Sequence, residues 1–478
     1  MNSKIRKSLQ YIFFGNIFSK IISFAGSILL ARLLFPDDYG YLLKAQIITG
    51  FIQIVGNVGF ENFYLQEPIQ SEEYRKKILD ITSKLRFLLN FILFILQFLI
   101  SYLIEYYLNS PIVARLLRIF SFIYIINAIT QINMYILRKE LDYRIETLAN
   151  VTRDLASTFF KVLFAWLGLG ALSFAYGALI GNFLRMLVFI KHKFYLPSKW
   201  KNHDPDIFKK VIFFGKHSFF VGVLSYFNNQ LDKMFVSKYF TNKEVGFYSF
   251  SNQYSLMPFN YLAAPFASFF LSYSANRKEN KKLLFDKLIQ ISKILIFIFT
   301  PITIFLFFYA SEIFHFLFSD KWNQAIPYFK VLLLYYFFTL GIFYPFIGLI
   351  TAHGRPDILT KISLSRLITM LLILSLALHI KKSLYTFLIV FVIISTFFYW
   401  IKVHIGLKFL NKKLWNVLFR LKKEIIVFGI LFLFTSFLKE FSPNYLNLII
   451  GFFLILTYLT VNKNILLFLI NYFLNKKK

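Results

Sequence analysis

A segment near Leu30 returns about two hundred residues later, and this duplication constrains the fold more than any other feature of the chain. The first copy reads Leu30-Ala-Arg-Leu-Leu-Phe-Pro-Asp-Asp-Tyr-Gly-Tyr41, the second Val236-Ser-Lys-Tyr-Phe-Thr-Asn-Lys-Glu-Val-Gly-Phe247. At an offset of 206, Arg32 falls on Lys238, Asp38 on Glu244, Gly40 on Gly246 and Tyr41 on Phe247. Each copy closes one long apolar segment and opens the next. Duplicated bundles of membrane helices with a site between the halves are a common plan of transporters.

The apolar segments carry that plan. A spanning helix needs about 20 mostly apolar residues. Fourteen runs qualify, near 9–34, 41–60, 85–104, 112–136, 154–170, 172–190, 211–237, 247–272, 288–310, 326–350, 362–380, 384–401, 424–438 and 445–462. The chain is 58% hydrophobic with a mean hydropathy of +0.61, against about 45–50% apolar residues in soluble domains. The fold class expected is an all-α polytopic membrane protein. The first run follows Lys4, Arg6 and Lys7, exceeds a signal-peptide core, contains Lys20 and lacks a small-residue cleavage site. It reads as a retained helix.

The formal charge of +31 would suggest nucleic acid in a soluble protein. Here the charges fill short loops. With the N-terminus inside, the inner segments hold 37 Lys and Arg and the outer segments 10, and the alternation never breaks. Cytoplasmic loops collect such residues, so both termini are expected in the cytoplasm. Six helices separate the two repeat copies. An even number gives both copies one orientation and relates the halves by an axis along the membrane normal. The expected organisation is an N-terminal lobe at 1–200 (six helices), a C-terminal lobe at 201–406 (six more), and two further helices with a basic tail at 407–478. The linker Lys191–Lys210, with Pro197 and Pro205, joins the lobes.

Several chemistries are excluded. The chain has no cysteine, hence no disulfide, thiolate metal site or Cys nucleophile. Its seven His are never spaced as ligand pairs. No G-x-x-x-x-G-K-[ST], H-E-x-x-H or G-x-S-x-G occurs, and no loop is long enough to be a catalytic domain. No cofactor, metal or enzymatic activity is expected.

Seven cations remain inside the apolar runs: Lys20, Lys161, Arg185, Lys216, Lys233, Lys293 and Lys330. Ionisable groups there are costly and usually face a cavity or a partner. Lys216, Lys293 and Lys330 lie near helix ends and can snorkel. Arg185 lies about a turn from its end, where snorkelling and a site are both open. Asn16, Ser19, Lys20, Ser23 and Ser27 share one face of the first helix. Matching stripes are Gln46, Thr49, Gln53 and Asn57 on the second, Asn127 and Gln131 on the fourth, and Asp154, Ser157, Thr158 and Lys161 on the fifth. The seventh carries Ser218, Ser225, Asn229 and Asp232, with Lys233 alongside. Such groups either hold helices together or line a hydrated cavity between the halves. The first-half cations have only Asp154 as a nearby acid, and a net positive cavity attracts an anion such as phosphate or pyrophosphate. Pro258 and Pro265 would kink the eighth helix.

These segments resemble a known family. Ala31-Arg-Leu-Leu-Phe-Pro-Asp-Asp-Tyr-Gly40 is similar to the loop after the first helix of bacterial polysaccharide exporters, the O-antigen and colanic-acid type flippases. So are Arg138-Lys-Glu-Leu-Asp-Tyr-Arg144, Leu167-Gly-Leu-Gly-Ala-Leu172, Gly246-Phe-Tyr-Ser-Phe-Ser-Asn-Gln253 with Met257-Pro-Phe-Asn260, Lys321-Trp322 and Ala352-His-Gly-Arg-Pro-Asp357. Ser272-Tyr-Ser274 departs from it, since relatives more often carry a Pro before the Ser. The resemblance spans roughly residues 10–400. It implies two six-helix lobes in a V, two extra helices, and export of an undecaprenyl-diphosphate-linked oligosaccharide across the bacterial inner membrane by alternating access.

On that basis Lys20, Lys161 and Arg185 are expected at the diphosphate. Asn16, Ser23, Gln46, Gln53, Asn57 and Asn229 are expected in the substrate cavity. Asp232 beside Lys233 could couple transport to a proton or sodium gradient, or form a neutralised pair. A polysaccharide polymerase and chain-length machinery are the protein partners implied. A cation-coupled multidrug exporter of the same architecture is the alternative. A glycan polymerase or ligase would need a large outer loop, which is lacking.

Overall fold

The computed structural model describes residues 3–56, 59–69, 71–192, 195 and 204–441. Among them there is no strand. Lipid offers backbone groups no partner, so helices that satisfy their own hydrogen bonds are the solution open to a chain this apolar. The chain packs as two compact units, Met1–Gly246 and Phe247–Lys478.

The first unit holds α1 (Ser3–Leu33), α2 (Pro36–Gly56), α3 (Phe60–Gln66), α4 (Glu72–Leu108), α5 (Pro111–Lys139), α6 (Tyr143–Trp166), α7 (Leu172–His192) and α8 (Pro205–Tyr239). Small residues set its closest contacts. A Cβ on Gly26 of α1 would lie 2.0 Å from Thr158 of α6, and one on Gly177 of α7 would lie 2.4 Å from the Lys161 side chain. The polar stripes of α1 and α6 meet there: the Ser19 hydroxyl donates to Asp154 at 2.5 Å. For these two residues, polar side chains join helices, as they commonly do inside membranes.

The repeated segment makes a symmetric crossing. A Cβ on Gly40 would sit 2.0 Å from the Asn242 carbonyl oxygen, and one on Gly246 would sit 1.8 Å from that of Pro36. Pro36 and Asn242 are related by the same offset as the two glycines. Asp38 ties two of the family-like segments together. It accepts the Phe35 amide at 2.9 Å and the Ala171 amide at 2.8 Å, and the latter lies in the Leu167–Leu172 turn. Gly168 and Gly170 carry φ of 82° and 54° in that turn, a region glycine enters without a Cβ penalty.

The second unit contains most of α9 (Asn242–Ala275), then α10 (Lys281–Phe308), α11 (Ala310–Phe318), a 3-10 turn (Asp320–Ala325), α12 (Ile326–Tyr336), a π-helical turn (Phe337–Ile342), α13 (Tyr344–Ala352), α14 (Pro356–Ile380), α15 (Leu384–Lys408), α16 (Leu414–Arg420) and α17 (Lys422–Phe441). Its aromatic core again joins family-like segments. Trp322, fully buried, stacks on Phe250 at 3.8 Å and 16°. Ser251 donates to the Ala325 carbonyl at 2.8 Å. α9 continues through Pro258 and Pro265. α17 is fastened to α10 by Lys293–Glu424 at 3.0 Å and to the π-helical turn by Phe428 stacked on Phe337 at 4.5 Å. Lys293 thus has a carboxylate partner rather than only a route to the interface.

Each expected run from 9–34 to 424–438 overlaps a helix or, at 326–350, the α12–π–α13 series. The run 445–462 lies outside the described residues. Seven described helices are long and apolar enough to cross a membrane, with α2 and α3 together as a bent eighth. The total of fourteen therefore remains a reading of the sequence.

Candidate functional site

The candidate site lies beside the turn at Gly59 between α2 and α3. α2 stops at Gly56, and α3 starts after Gly59, whose φ is 66°. The short α3 then seats Phe60, Phe63 and Tyr64 in a core with α4 and α5. Basic side chains reach backbone carbonyls of both helices. Arg86 of α4 donates Nη1 to the Gly56 carbonyl. Lys139, last residue of α5, donates Nζ to the carbonyls of Tyr64, Leu65 and Glu67 at 3.1, 2.8 and 3.0 Å. Cations are also favoured at helix C-termini by the helix dipole.

Beside Gly59 lies a cavity of about 950 Å³, walled by α2, α3, α4, α5 and α8. Its polar lining includes Glu61, Arg86, Arg138, Tyr226 and Asn229. Arg86 is 6% exposed. Its Nε donates to Gln131 Oε1, and its guanidinium carbon lies 6.0 Å from the Tyr135 ring centroid. Both hydrogen-bond partners are neutral and hold its fork in place, while the Glu61 carboxylate shares the same cavity wall. Arg138 is instead bridged by two carboxylates. Nη1 donates to Glu61, Nη2 reaches Glu146 Oε1 at 2.5 Å, and Nε lies 3.1 Å from both Glu146 oxygens. A neighbouring cavity of about 660 Å³ shares Glu61 and Arg138 and adds Lys139, Tyr143 and Glu146. Arg86, bonded to neutral groups although Glu61 shares its wall, offers this cavity a guanidinium that can hold an anion.

Of the residues expected at a site, this cavity is lined by Asn229. Gln46 and Gln53 lie exposed on α2, Lys20 is exposed and Ser23 half-buried on α1. Lys161 packs beside Gly177 at the α6–α7 crossing. Arg185 is buried against Met134, with Nη2 2.5 Å from the sulfur, and its guanidinium carbon lies 5.6 Å from the Phe189 ring. Asp232 is buried on α8, with Lys233 half-buried beside it, and neither lines this cavity. Asn57 lies outside the described residues, as does the side chain of Asn16.

Arg86 and Arg138 were hidden among the loop charges, in the segments 61–86 and 137–153. Two signals could have drawn them out. Gln131, already on a polar stripe, is the partner of Arg86, and Arg138 opens the family-like Arg138–Arg144 segment.

Comparison with known proteins agrees with this architecture. A profile of the family described as polysaccharide biosynthesis protein matches residues 29–327. A search of curated protein sequences finds no match. Among solved structures, the lipid II flippase MurJ in an inward closed conformation aligns over 95% of this chain and 99% of its own, with TM-score 0.71 and 17% identity. An inward-facing multidrug resistance MATE family transporter of the MOP superfamily aligns over 82% and 94%, with TM-score 0.60 and 15% identity. An outward-facing transporter of that family aligns over 86% and 97%, with TM-score 0.54 and 14% identity. At such identities the likeness shows the fold alone. The chain is a multi-pass membrane protein with the flippase and MATE-type transporter fold, and by its profile it belongs to the polysaccharide biosynthesis protein family.

Proposed function

We propose that this protein is a flippase that moves an undecaprenyl-diphosphate-linked oligosaccharide, an O-antigen, capsule or exopolysaccharide repeat unit, from the inner to the outer leaflet of the bacterial cytoplasmic membrane. The observation that carries this reading is the cavity beside Gly59, with the guanidinium of Arg86 held on its wall by two neutral partners. The diphosphate is the anion such a group takes, and a volume near 950 Å³ fits a phosphate group with its first sugar. Asn229, with Ser225 and Gln230 from the same helix, supplies hydroxyl and amide groups for sugar. Lys20, Lys161 and Arg185 extend the positive charge of the N-terminal lobe, taken as 1–200 from the repeat. Lobe 201–406 completes the alternating-access pair, and 407–478 adds the last two helices. Both termini are cytoplasmic in this reading, as the loop charges require.

Deleting the gene and locating the lipid-linked glycan tests it. Repeat units held on the cytoplasmic face, with surface glycan lost, are the expected result. Complementation with Arg86→Ala, Lys20→Ala and Lys161→Ala then ranks the cations. Full surface glycan from all three, at normal protein level, would remove the diphosphate site.

One observation favours a second reading, a cation-coupled multidrug exporter: the carboxylates of Glu61 and Glu146 stand at the cavities. Both bind Arg138, which reduces the negative charge left for a cationic drug. A resistance panel with expression on and off separates the two. Unchanged glycan with altered resistance selects the exporter.

A further inference from the structure

Three connections of the second unit gather at one place. The Lys412 ammonium lies 5.4 Å from the ring of Phe285 near the start of α10. Arg420 Nη2 lies 3.9 Å from Asp286 Oδ1. The His353 ring, before α14, stacks on Phe409, after α15, at 4.7 Å. The α9–α10 turn, the α13–α14 turn and the α15–α17 connection therefore share one end of this unit.

That end is cationic and aromatic together. From Lys408 to Lys423 the chain has six Lys or Arg and no Asp or Glu. Within this stretch α16 is a short amphipathic helix. Val417 and the adjoining Leu421 are fully buried, while Trp415 is 73% and Phe419 59% exposed. Asn416 caps its start by accepting the Lys413 amide at 2.8 Å, and the Lys422 ammonium lies 4.3 Å from the Phe419 ring. A general excess of Lys and Arg on one side of a membrane protein would explain the sign of the charge. It would not explain two large aromatic rings turned outward among those cations.

Rings interleaved with cations on a helix parallel to a surface are the arrangement that seats aromatics at headgroup depth and ammonium groups at lipid phosphates. We infer that α16 and its flanking lysines form an interfacial anchor that binds the headgroups of anionic phospholipids in the leaflet on that side. The occupant is the lipid in its bilayer and not free phosphate, because the outward rings need an acyl boundary to enter.

The full-length protein gives the test. In detergent, phosphatidylglycerol should raise the thermal midpoint, while phosphatidylcholine and inorganic phosphate should not. Lys412→Gln/Lys413→Gln/Lys422→Gln/Lys423→Gln should weaken phosphatidylglycerol binding by several hundredfold, since each of the four cations near an anionic lipid surface contributes about fivefold. The chain has no native cysteine, so a nitroxide at Trp415→Cys reports depth in otherwise wild-type protein, whatever the folding of the fourfold variant. The label should sit deeper in nanodiscs containing phosphatidylglycerol than in pure phosphatidylcholine. Equal depth in both lipids, undiminished affinity in the fourfold variant, or equal stabilisation by inorganic phosphate would each overturn the assignment.

Discussion

Gly40→Ala is the sharpest perturbation of the repeated segment. The new methyl carbon would lie 2.0 Å from the Asn242 carbonyl oxygen, where ordinary contact begins at 3.4 Å. The two backbones must therefore part by about 1.4 Å along that line. The obstacle is main chain on both sides, so no side chain can swing away. Overpacking in a tight contact costs about 1–3 kcal/mol, and this geometry belongs at the upper end, close to a hundredfold in the folding equilibrium. Gly246→Ala meets Pro36 at 1.8 Å and should cost the same within error. Once one alanine has opened the crossing, the second finds room. The double variant should then fall short of additivity by about 1 kcal/mol or more. Thermal unfolding of the purified protein, with fluorescence-detected size exclusion, reads all three. Gly429→Ala is the control, because a Cβ there meets nothing within 4 Å and alanine is the better helix former. If Gly40→Ala melts like Gly429→Ala, or if the two effects add fully, the reciprocal crossing is wrong.

Arg86→Lys keeps the charge but loses the fork that spans Gln131 and Gly56, so glycan export should fall by about tenfold, and Arg86→Gln should fall further; equal export by both variants would deny the guanidinium a role. Lys139→Met leaves three carbonyls around the end of α3 without their donor, and a loss of about 2 kcal/mol is expected in urea or thermal melts. Trp322→Ala empties the fully buried stack on Phe250 and should cost about 3–5 kcal/mol, read as loss of folded protein at the growth temperature. Burial first, and then the hydrogen bond to Asp80 at 2.6 Å, push the Tyr195 phenol above its usual range. The fold thus favours the neutral phenol, so its contribution is complete below the unfolded value of about 10 and is lost as pH rises beyond it. Stability measured from pH 8 to 11 should decline less in Tyr195→Phe than in the wild type.

Much of the architecture was legible before any coordinates. The runs of apolar residues had to be helices because lipid leaves the backbone no other partner, and thirteen of them coincide with helices of the structure. The repeat offset related Gly40 to Gly246, and the family-like segments proved to be contact partners: Asp38 with the Leu167–Leu172 turn, Phe250 with Trp322. These features depend on local composition and order, which a sequence displays directly.

The candidate cavity was legible in the sequence only in small part. The sequence marked cations and amides in the N-terminal half as the chemistry of an anion cavity, and it named Asn229 and Gln131. It could not separate Arg86 from the solvated charges of its segment. What distinguishes Arg86 is non-local: it reaches the Gly56 carbonyl thirty residues away, Gln131 approaches from another helix, and Tyr135 covers one face. Likewise Ser19 donates to Asp154, 135 residues away, whose other oxygen pairs with Arg153, as only the α1–α6 packing could decide. Hydrophobicity and charge sign are properties of residues and determine where the chain lies in a membrane; which cation lines a cavity depends on its neighbours, and those are chosen by tertiary packing.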